Sequence, residues 1–233
     1  MKKIVRLPAI VLYLIAVLCF ALYMFTELNQ RIVMPLITRL ILLGAMCVFT
    51  YFGSLLFSKT TTKQTAYKIM KTTFFIFFVL YVFLLITLIL FDKYFGRVGF
   101  SRVNLWQSDT ITYYIKNSLN IIPFKTIYEY FYGAFISSDI AVTTTITNIF
   151  GNIVAFVPFA FFLPILFDKY TSFEKFIITM LIMVIFIEIL QFVLLTGSCD
   201  IDDVILNVLG ACIAYKVFNA KIIKNFITKI TTL

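Results

Sequence analysis

Six long runs of apolar residues alternate with short polar segments along this chain. The runs cover residues 5–25, 36–57, 72–91, 146–167, 176–195 and 204–218. A helix needs about 20 predominantly apolar residues to cross the hydrocarbon core of a bilayer. The pattern therefore predicts an all-α integral membrane protein with about six transmembrane helices, the last of them short.

The longest break between apolar runs lies between the third and the fourth, over residues 92–145. Within it, residues 109–119 and 126–135 mix Tyr, Phe and Ile with polar residues, and Pro123 separates the two stretches. This composition is typical of amphipathic helices that lie on a membrane surface, here the outer leaflet. A small soluble subdomain is the alternative.

No polar linker divides the chain, so residues 1–233 are predicted to form a single membrane domain. Hydrophobic residues make up 62% of the chain and charged residues 13%, whereas a soluble domain is about half apolar and a quarter charged. Three N-terminal helices (1–91) precede an extracytoplasmic connection (92–145).

The basic residues predict the orientation. With the N-terminus inside, thirteen of the 20 Lys and Arg residues face the cytoplasm and seven face outward, mostly in the long connection. The positive-inside rule favours this arrangement, which places both termini in the cytoplasm. The net charge of +9 is accordingly assigned to helix orientation and anionic headgroups, and no nucleic-acid partner is expected.

The composition also limits the chemistry. There is no histidine, and the four cysteines follow no metal-binding spacing. No cofactor is predicted, and binding of a divalent cation to the acidic residues described next stays open.

Polar side chains interrupt the last three apolar runs at a similar depth. They are Asn148, Asn152, Glu188, Gln191, Asp203 and Asn207, with Asp200 and Asp202 at the mouth of the final run. At 1.5 Å per helical residue, Asn152, Glu188 and Asn207 lie about 8–12 Å below the outer end of their helices. Polar groups inside a membrane are costly, so together these eight residues predict a binding site.

The spacing within each run strengthens this interpretation. Asn148 and Asn152, Glu188 and Gln191, and Asp203 and Asn207 are three or four residues apart, so each pair shares one helix face. A structural interpretation stays open, because amides also join helices and carboxylates also cap them. Glu188 lies too deep for a cap.

Several carboxylates in one layer repel one another and need a cation, a basic side chain or shared protons. The candidate basic side chains are Arg102, Lys116 and Lys125 of the long connection. Gly151 is expected to permit close approach of a neighbouring helix. Pro158 is expected to kink the fourth helix and to free a backbone carbonyl.

Four segments resemble, in order, the VanZ-like family of membrane proteins. They are NIIPFKTI at 120–127, NIFGNIVAFVPF at 148–159, EILQ at 188–191 and DIDDVILNVLG at 200–210. With the tyrosine at 215, the resemblance spans residues 120–215. Residue by residue, it carries over Asn152, Glu188, Gln191, Asp202, Asp203 and Asn207.

The resemblance implies a bacterial cell-envelope protein of the cytoplasmic membrane, in a family whose namesake is associated with low-level resistance to teicoplanin. Combined with the polar layer, it predicts an outward-facing pocket that binds a lipid, a lipid-linked cell-wall precursor or the lipid tail of a lipoglycopeptide. One alternative is an intramembrane enzyme that acts on a lipid headgroup with Glu188 and Asp203 as acid and base. A transporter of small solutes or ions is another alternative. Whether the protein is an enzyme stays open.

Overall fold

The structure is a computed structural model, and it describes residues 2–29, 35–91, 108–221 and 223–225. The helices are α1 (Lys2–Leu28), α2 (Leu36–Ser58), α3 (Lys63–Ile86), α4 (Ser108–Ser118), α5 (Lys125–Phe135), α6 (Val142–Ala155), α7 (Val157–Leu166), α8 (Phe173–Val193) and α9 (Ile201–Asn219). A π-helical turn, Thr87–Phe91, extends α3, and a 3-10 turn, Asp168–Thr171, precedes α8. Two short strands, β1 (Leu119–Asn120) and β2 (Cys199–Asp200), pair in parallel.

The prediction of an all-α membrane protein is confirmed. In the described ranges, five segments are long and apolar enough to cross a membrane: Arg6–Thr26, Leu36–Ser58, Lys63–Leu90, Val142–Leu166 and Phe173–Val193. The third begins nine residues before the predicted 72–91, because the polar residues from Lys63 onward continue the helix beyond its apolar run. The sixth predicted run forms α9, which is not among the five and carries Asp202, Asp203 and Lys216.

The described residues form two compact units. One contains the residues up to Phe77 together with Asn225, and the other is Phe78–Lys224. In the first unit α1 packs along α2, and the Arg6 guanidinium donates to the Thr60 hydroxyl at 3.3 Å. The single-domain assignment stays a prediction.

The second unit is built around α9, which packs against α6, α7 and α8. Phe156, Phe176, Met180 and Val184 are almost completely buried in its core. The Tyr215 ring of α9 stacks on Phe176 with ring centroids 4.6 Å apart. Burial of such large apolar side chains is the main favourable contribution to packing in this unit.

Helices α8 and α9 run antiparallel, as contacts near both of their ends show. The backbone N–H of Asp200, just before α9, donates to the Glu188 carboxylate near the end of α8 at 3.2 Å. At the opposite end, the Tyr215 hydroxyl donates to the carbonyl of Thr171, just before α8, at 2.6 Å. The 19 residues of α9 cover about 28 Å, close to the roughly 31 Å of the 21 residues of α8.

The predicted break at Pro158 is present. Helix α6 ends at Ala155 and α7 begins at Val157, with Pro158 in its first turn. The Phe159 N–H bonds to Phe156 rather than to Ala155, so the Ala155 carbonyl is free to accept from the Tyr81 hydroxyl. A side chain of α3 thereby satisfies the carbonyl that the interruption releases.

The expectation for Gly151 is wrong. Among the described residues, no heavy atom lies within 4 Å of the position that a Cβ on Gly151 would occupy. The close approach occurs at Gly210, where a Cβ would clash with the Ile153 carbonyl group. The side of α6 that meets α9 therefore contains Ile153 rather than Gly151.

The two helices expected in the long connection are present as α4 and α5, and Pro123 lies between them. Residues 92–107, the first part of the predicted extracytoplasmic connection, lie outside the described residues. Four aromatic side chains on α5 are exposed: Tyr128, Phe131, Tyr132 and Phe135. They stack in two pairs, each with ring centroids 5.9 Å apart. We call these four residues the α5 aromatic face.

Substitution of the two glycines provides a test of helix packing. Gly210→Ala places a methyl group against the α6 backbone and should destabilise the protein by about 1–3 kcal/mol, the usual cost of overpacking. Gly151→Ala has free space around it and should be neutral or stabilising, because alanine favours a helix. Thermal unfolding of the purified protein in detergent, followed with a thiol-reactive dye, measures both. Equal unfolding temperatures of the two variants would contradict the packing of α6 on α9.

Candidate functional site

The short parallel β1–β2 pair brings two distant segments together. Leu119 lies opposite Cys199, and Asn120 lies opposite Asp200. The turn that leads into α5 is thus placed beside the acidic start of α9. Three of the eight predicted site residues, Asp200, Asp202 and Asp203, lie at this junction.

The Asp200 carboxylate joins three structural elements. Its Oδ1 accepts from the Asp202 backbone N–H and from the Asn120 side-chain amide, both at 2.9 Å. Its Oδ2 accepts from the Thr126 hydroxyl at 2.5 Å. Asp200 is therefore the N-cap of α9 and also binds the segment before α5 and the first turn of α5.

Asp202 caps a different helix. Its side chain is completely buried, with 0% exposure, and it accepts the backbone N–H groups of Phe124 at 2.5 Å and Ile127 at 3.1 Å. Phe124 is the N-cap residue of α5 and makes no side-chain cap of its own. It also has a left-handed backbone with φ of 66°, which is rare for an aromatic residue and costs about 1–3 kcal/mol. Asp202 thus supplies from α9 the cap that α5 lacks.

Glu188 lies inside the second unit with 4% exposure. Its Oε2 accepts the backbone N–H of Asp200 at 3.2 Å, which ties α8 to β2. Gln191, one turn further along α8, donates its side-chain amide to the Ile89 carbonyl at 3.3 Å. Ile89 belongs to the π-helical turn after α3. The two polar residues of α8 therefore bind different neighbours.

Asn152 and Asp203 meet across the contact between α6 and α9. The Asn152 side-chain amide donates to the Asp203 carboxylate, and the Asn207 amide donates to the Asp203 backbone carbonyl at 2.7 Å. The Asn207 Oδ1 is buried and has no hydrogen-bond partner among the described residues. This places one predicted pair from α9 beside one predicted residue from α6.

Asn148 differs from the other predicted residues. Its side chain is exposed and donates to the Thr144 carbonyl of its own helix at 3.1 Å. Asn148, Asn152, Asp202 and Asp203 do line a common cavity, but its volume is only about 10 Å³. A space of this size holds about one water molecule, so it does not admit a lipid chain.

Backbone N–H groups and neutral side chains donate to the carboxylates of Asp200 and Asp202. The ammonium nitrogen of Lys125, a candidate counter-charge, lies 3.8 Å from the Glu129 carboxylate in the same helix. Arg102, another candidate, lies outside the described residues. Within the ranges that the structure covers, no group of three or more Cys, Asp or Glu side chains is arranged to hold a metal ion. The hydrogen bonds of these residues connect α5, α6, α8 and α9, and we call the set the polar joint: Asn120, Thr126, Asn152, Glu188, Asp200, Asp202 and Asp203.

Sequence reasoning missed Asn120, Thr126 and Tyr114. Tyr114 of α4 donates its hydroxyl to the Gly197 carbonyl at 2.6 Å, and its ring packs on Phe192 with centroids 5.3 Å apart. These three residues lie in the long connection, outside the apolar runs from which depth in the membrane is estimated. Asn120 and Thr126 do belong to the first family-like segment, which is the signal that points to them.

Asp202→Asn tests the cap that α9 provides for α5. One acceptor oxygen becomes an amide that faces a backbone N–H, so the variant should lose about 1–3 kcal/mol of stability, the cost of a buried unsatisfied donor. Hydrogen exchange of the peptide that contains Phe124 and Ile127 should accelerate. Asp168→Asn, at an exposed position, is the control. Unchanged exchange at Phe124 and Ile127 in Asp202→Asn would contradict the cap.

Comparison with known proteins places these segments in a family. The family model described as VanZ/LLP1 matches residues 77–224, well over half of the chain. The protein VanZ of Enterococcus faecium is 28% identical over 105 residues, which are 45% of this chain and 55% of VanZ. The match thus spans about half the length of this curated relative. No solved structure matches the chain significantly. The chain belongs to the VanZ/LLP1 family.

Proposed function

We propose that this protein lowers susceptibility to teicoplanin-type lipoglycopeptides from the bacterial cytoplasmic membrane. The observation that carries the proposal is that the family match covers the whole polar joint and the helix that the joint holds. Family membership and the similarity to VanZ support the resistance function.

The ligand would contact the α5 aromatic face. The cavity inside the polar joint holds about one water, so an acyl chain does not fit inside it. The α5 aromatic face supplies exposed, flat apolar area, with Phe135 62% and Tyr128 64% exposed. The ligand class is an envelope lipid, a lipid-linked cell-wall precursor or the lipid tail of the antibiotic, and the polar joint fixes the helix that binds it.

The antiparallel course of α8 and α9 supports six membrane crossings with both termini in the cytoplasm. If α8 crosses the bilayer, α9 returns across it, because Tyr215 lies at the level of the start of α8. The charged first turn of α9 is satisfied internally by the contacts of Asp200 and Asp202, which permits burial despite its acidic residues. The polar joint and α5 then face outward.

The acid–base alternative requires Glu188 and Asp203 to exchange protons with a substrate. Each of them already accepts a hydrogen bond from the protein, Glu188 from Asp200 and Asp203 from Asn152. These bonds favour a positioning role for both residues. The enzyme and transporter hypotheses stay alternatives to the proposal.

The orientation is tested at Cys199. In a variant with serine at positions 19, 47 and 212, a membrane-impermeant maleimide should label Cys199 in intact cells. A cysteine introduced by Lys63→Cys should label only after lysis. If Cys199 labels only after lysis, the orientation is inverted.

The same reaction has an expected pH dependence. Burial, followed by the negative charges of Glu188 and Asp200, raises the pKa of the Cys199 thiol. The thiolate is the reactive form, so labelling should be slow at neutral pH and accelerate as the pH rises towards the raised pKa. Glu188→Gln removes one of the two charges, lowers the pKa and should accelerate labelling at a given pH. An identical pH profile for both proteins would show that Glu188 exerts no electrostatic effect on Cys199.

The resistance function is tested by expression in a susceptible Gram-positive host. The protein should raise the inhibitory concentration of teicoplanin more than that of vancomycin, because the aromatic face contacts a lipid tail. Phe131→Ala with Phe135→Ala should remove the effect at equal protein abundance. Phe186→Ala, a similarly exposed aromatic on α8, should retain it. Equal protection against both antibiotics would count against recognition of the lipid tail.

Variants that remove a charge distinguish a positioning role of Glu188 and Asp203 from a role as catalytic acid and base. Glu188→Gln and Asp203→Asn each keep an acceptor oxygen but lose the charge that strengthens its hydrogen bond. Both should lose protection at unchanged abundance, whereas Asp139→Asn, at an exposed position, should not. Full activity of Glu188→Gln would remove the central residue of the enzyme hypothesis. Losses that merely follow abundance would show that the cluster only maintains the fold.

A further inference from the structure

The first unit contains a larger cavity than the polar joint does. Its volume is about 280 Å³, and it lies among α1, α2 and α3. Six of its lining side chains carry hydroxyl groups: Tyr13, Thr50, Ser54, Thr65, Thr72 and Thr73. None of the family-like segments reaches this unit, so the function proposed above does not use the cavity.

One face of α3 forms a wall of the cavity. Thr65, Lys68, Thr72 and Ile76 follow one another at intervals of three or four residues, as neighbours on a helix surface do. Lys68 lies in the polar beginning of α3, whereas Ile76 lies inside the apolar run. The wall thus changes from cationic and hydroxylated to aliphatic along the helix axis, in the order in which a phospholipid changes from headgroup to acyl chain.

Part of the polar lining is already satisfied. The Thr73 hydroxyl donates to the Ile69 carbonyl at 2.9 Å, so its oxygen accepts from Ser54 at 2.6 Å. Ser54 in turn accepts from Tyr13 at 2.9 Å. This chain of hydroxyls joins all three helices and makes a fixed back wall.

Two other lining residues are free to bind a ligand. Within the described part of the chain, the side chains of Lys68 and Thr72 make no hydrogen bond or ion pair. Both side chains are exposed and line the cavity. An ammonium group with a hydroxyl one turn away is a donor pair suited to a phosphate.

The surrounding charge selects an anion. The basic residues at this end of the three helices include Arg6, Lys59, Lys63, Lys68 and Lys71. The one acidic residue in the sequence up to Phe77 is Glu27, at the far end of α1. Basic clusters at the end of membrane helices attract anionic lipids.

We propose that this cavity binds one anionic glycerophospholipid. The phosphate accepts hydrogen bonds from Lys68 and Thr72, and an acyl chain lies along Ile76. The hydroxyl chain of Tyr13, Ser54 and Thr73 links the three helices and so fixes the width of the groove that the lipid enters.

Native mass spectrometry of the full chain tests this proposal. The protein is purified in mild detergent with either phosphatidylglycerol or phosphatidylethanolamine, and the retained lipid is counted. One phosphatidylglycerol should be retained in preference and should raise the unfolding temperature. Lys68→Gln should weaken its binding about tenfold, the loss expected for one charge-assisted hydrogen bond. Thr72→Val should weaken binding by a smaller factor at unchanged side-chain shape.

Lys63→Gln is the matched control, because Lys63 is exposed on the same helix but does not line the cavity. It should bind phosphatidylglycerol within about twofold of the unmodified protein, since its charge adds only to the screened surface field and donates no hydrogen bond to the phosphate. Equal losses in Lys63→Gln and Lys68→Gln would reduce the effect to diffuse surface charge and overturn the site. Equal retention of the two lipids by the unmodified protein would also overturn it. The unfolding temperature without added lipid shows whether each variant is folded.

Discussion

The second unit depends on a buried carboxylate that caps a helix to which it does not belong. Asp202 of α9 is inaccessible to solvent and accepts two backbone N–H groups at the start of α5. A buried charge is tolerated only when donors replace the water that it loses. The orphan amides of α5 have the same requirement, because its N-cap residue is a phenylalanine. Each group therefore stabilises the other.

The same constraint extends through Asp200 to α8. The Asp200 side chain binds Asn120 and Thr126, while its backbone N–H binds Glu188. The acidic segment thus connects the turn before α5 to the end of α8 within three residues. Close packing of Gly210 on α6 fixes the other side of α9. Because α9 contacts α6, α7 and α8, the position of α5 is tied to the core rather than to a loop.

The sequence predicts the helices from the length of the apolar runs, and it predicts part of the polar joint from the depth of the polar residues. Apolar runs reveal segments whose length suits a bilayer, and equal depth correctly brings Asn152 near Asp203. Depth alone does not give rotation about the helix axis, which is why Asn148 is exposed and Gly151 lacks a close neighbour. The partners of Asp200 and Asp202 come from a turn of irregular backbone. Their position depends on a left-handed residue and a two-residue strand pair, neither of which has a periodic signal.

The degree to which polar groups are satisfied separates structural from binding residues. Asp200 and Asp202 use both carboxylate oxygens within the protein, so a ligand would have to compete with the bonds that hold α5. Removing one partner of a buried pair costs more than the pair contributes. Ligands are therefore more favourably bound by groups that the fold leaves uncommitted. The exposed rings of the α5 aromatic face are groups of this kind in the second unit, and Lys68 and Thr72 are groups of this kind in the first unit. Buried polar residues such as Asp200 and Asp202 can thus fix the position of a helix without being available to a ligand.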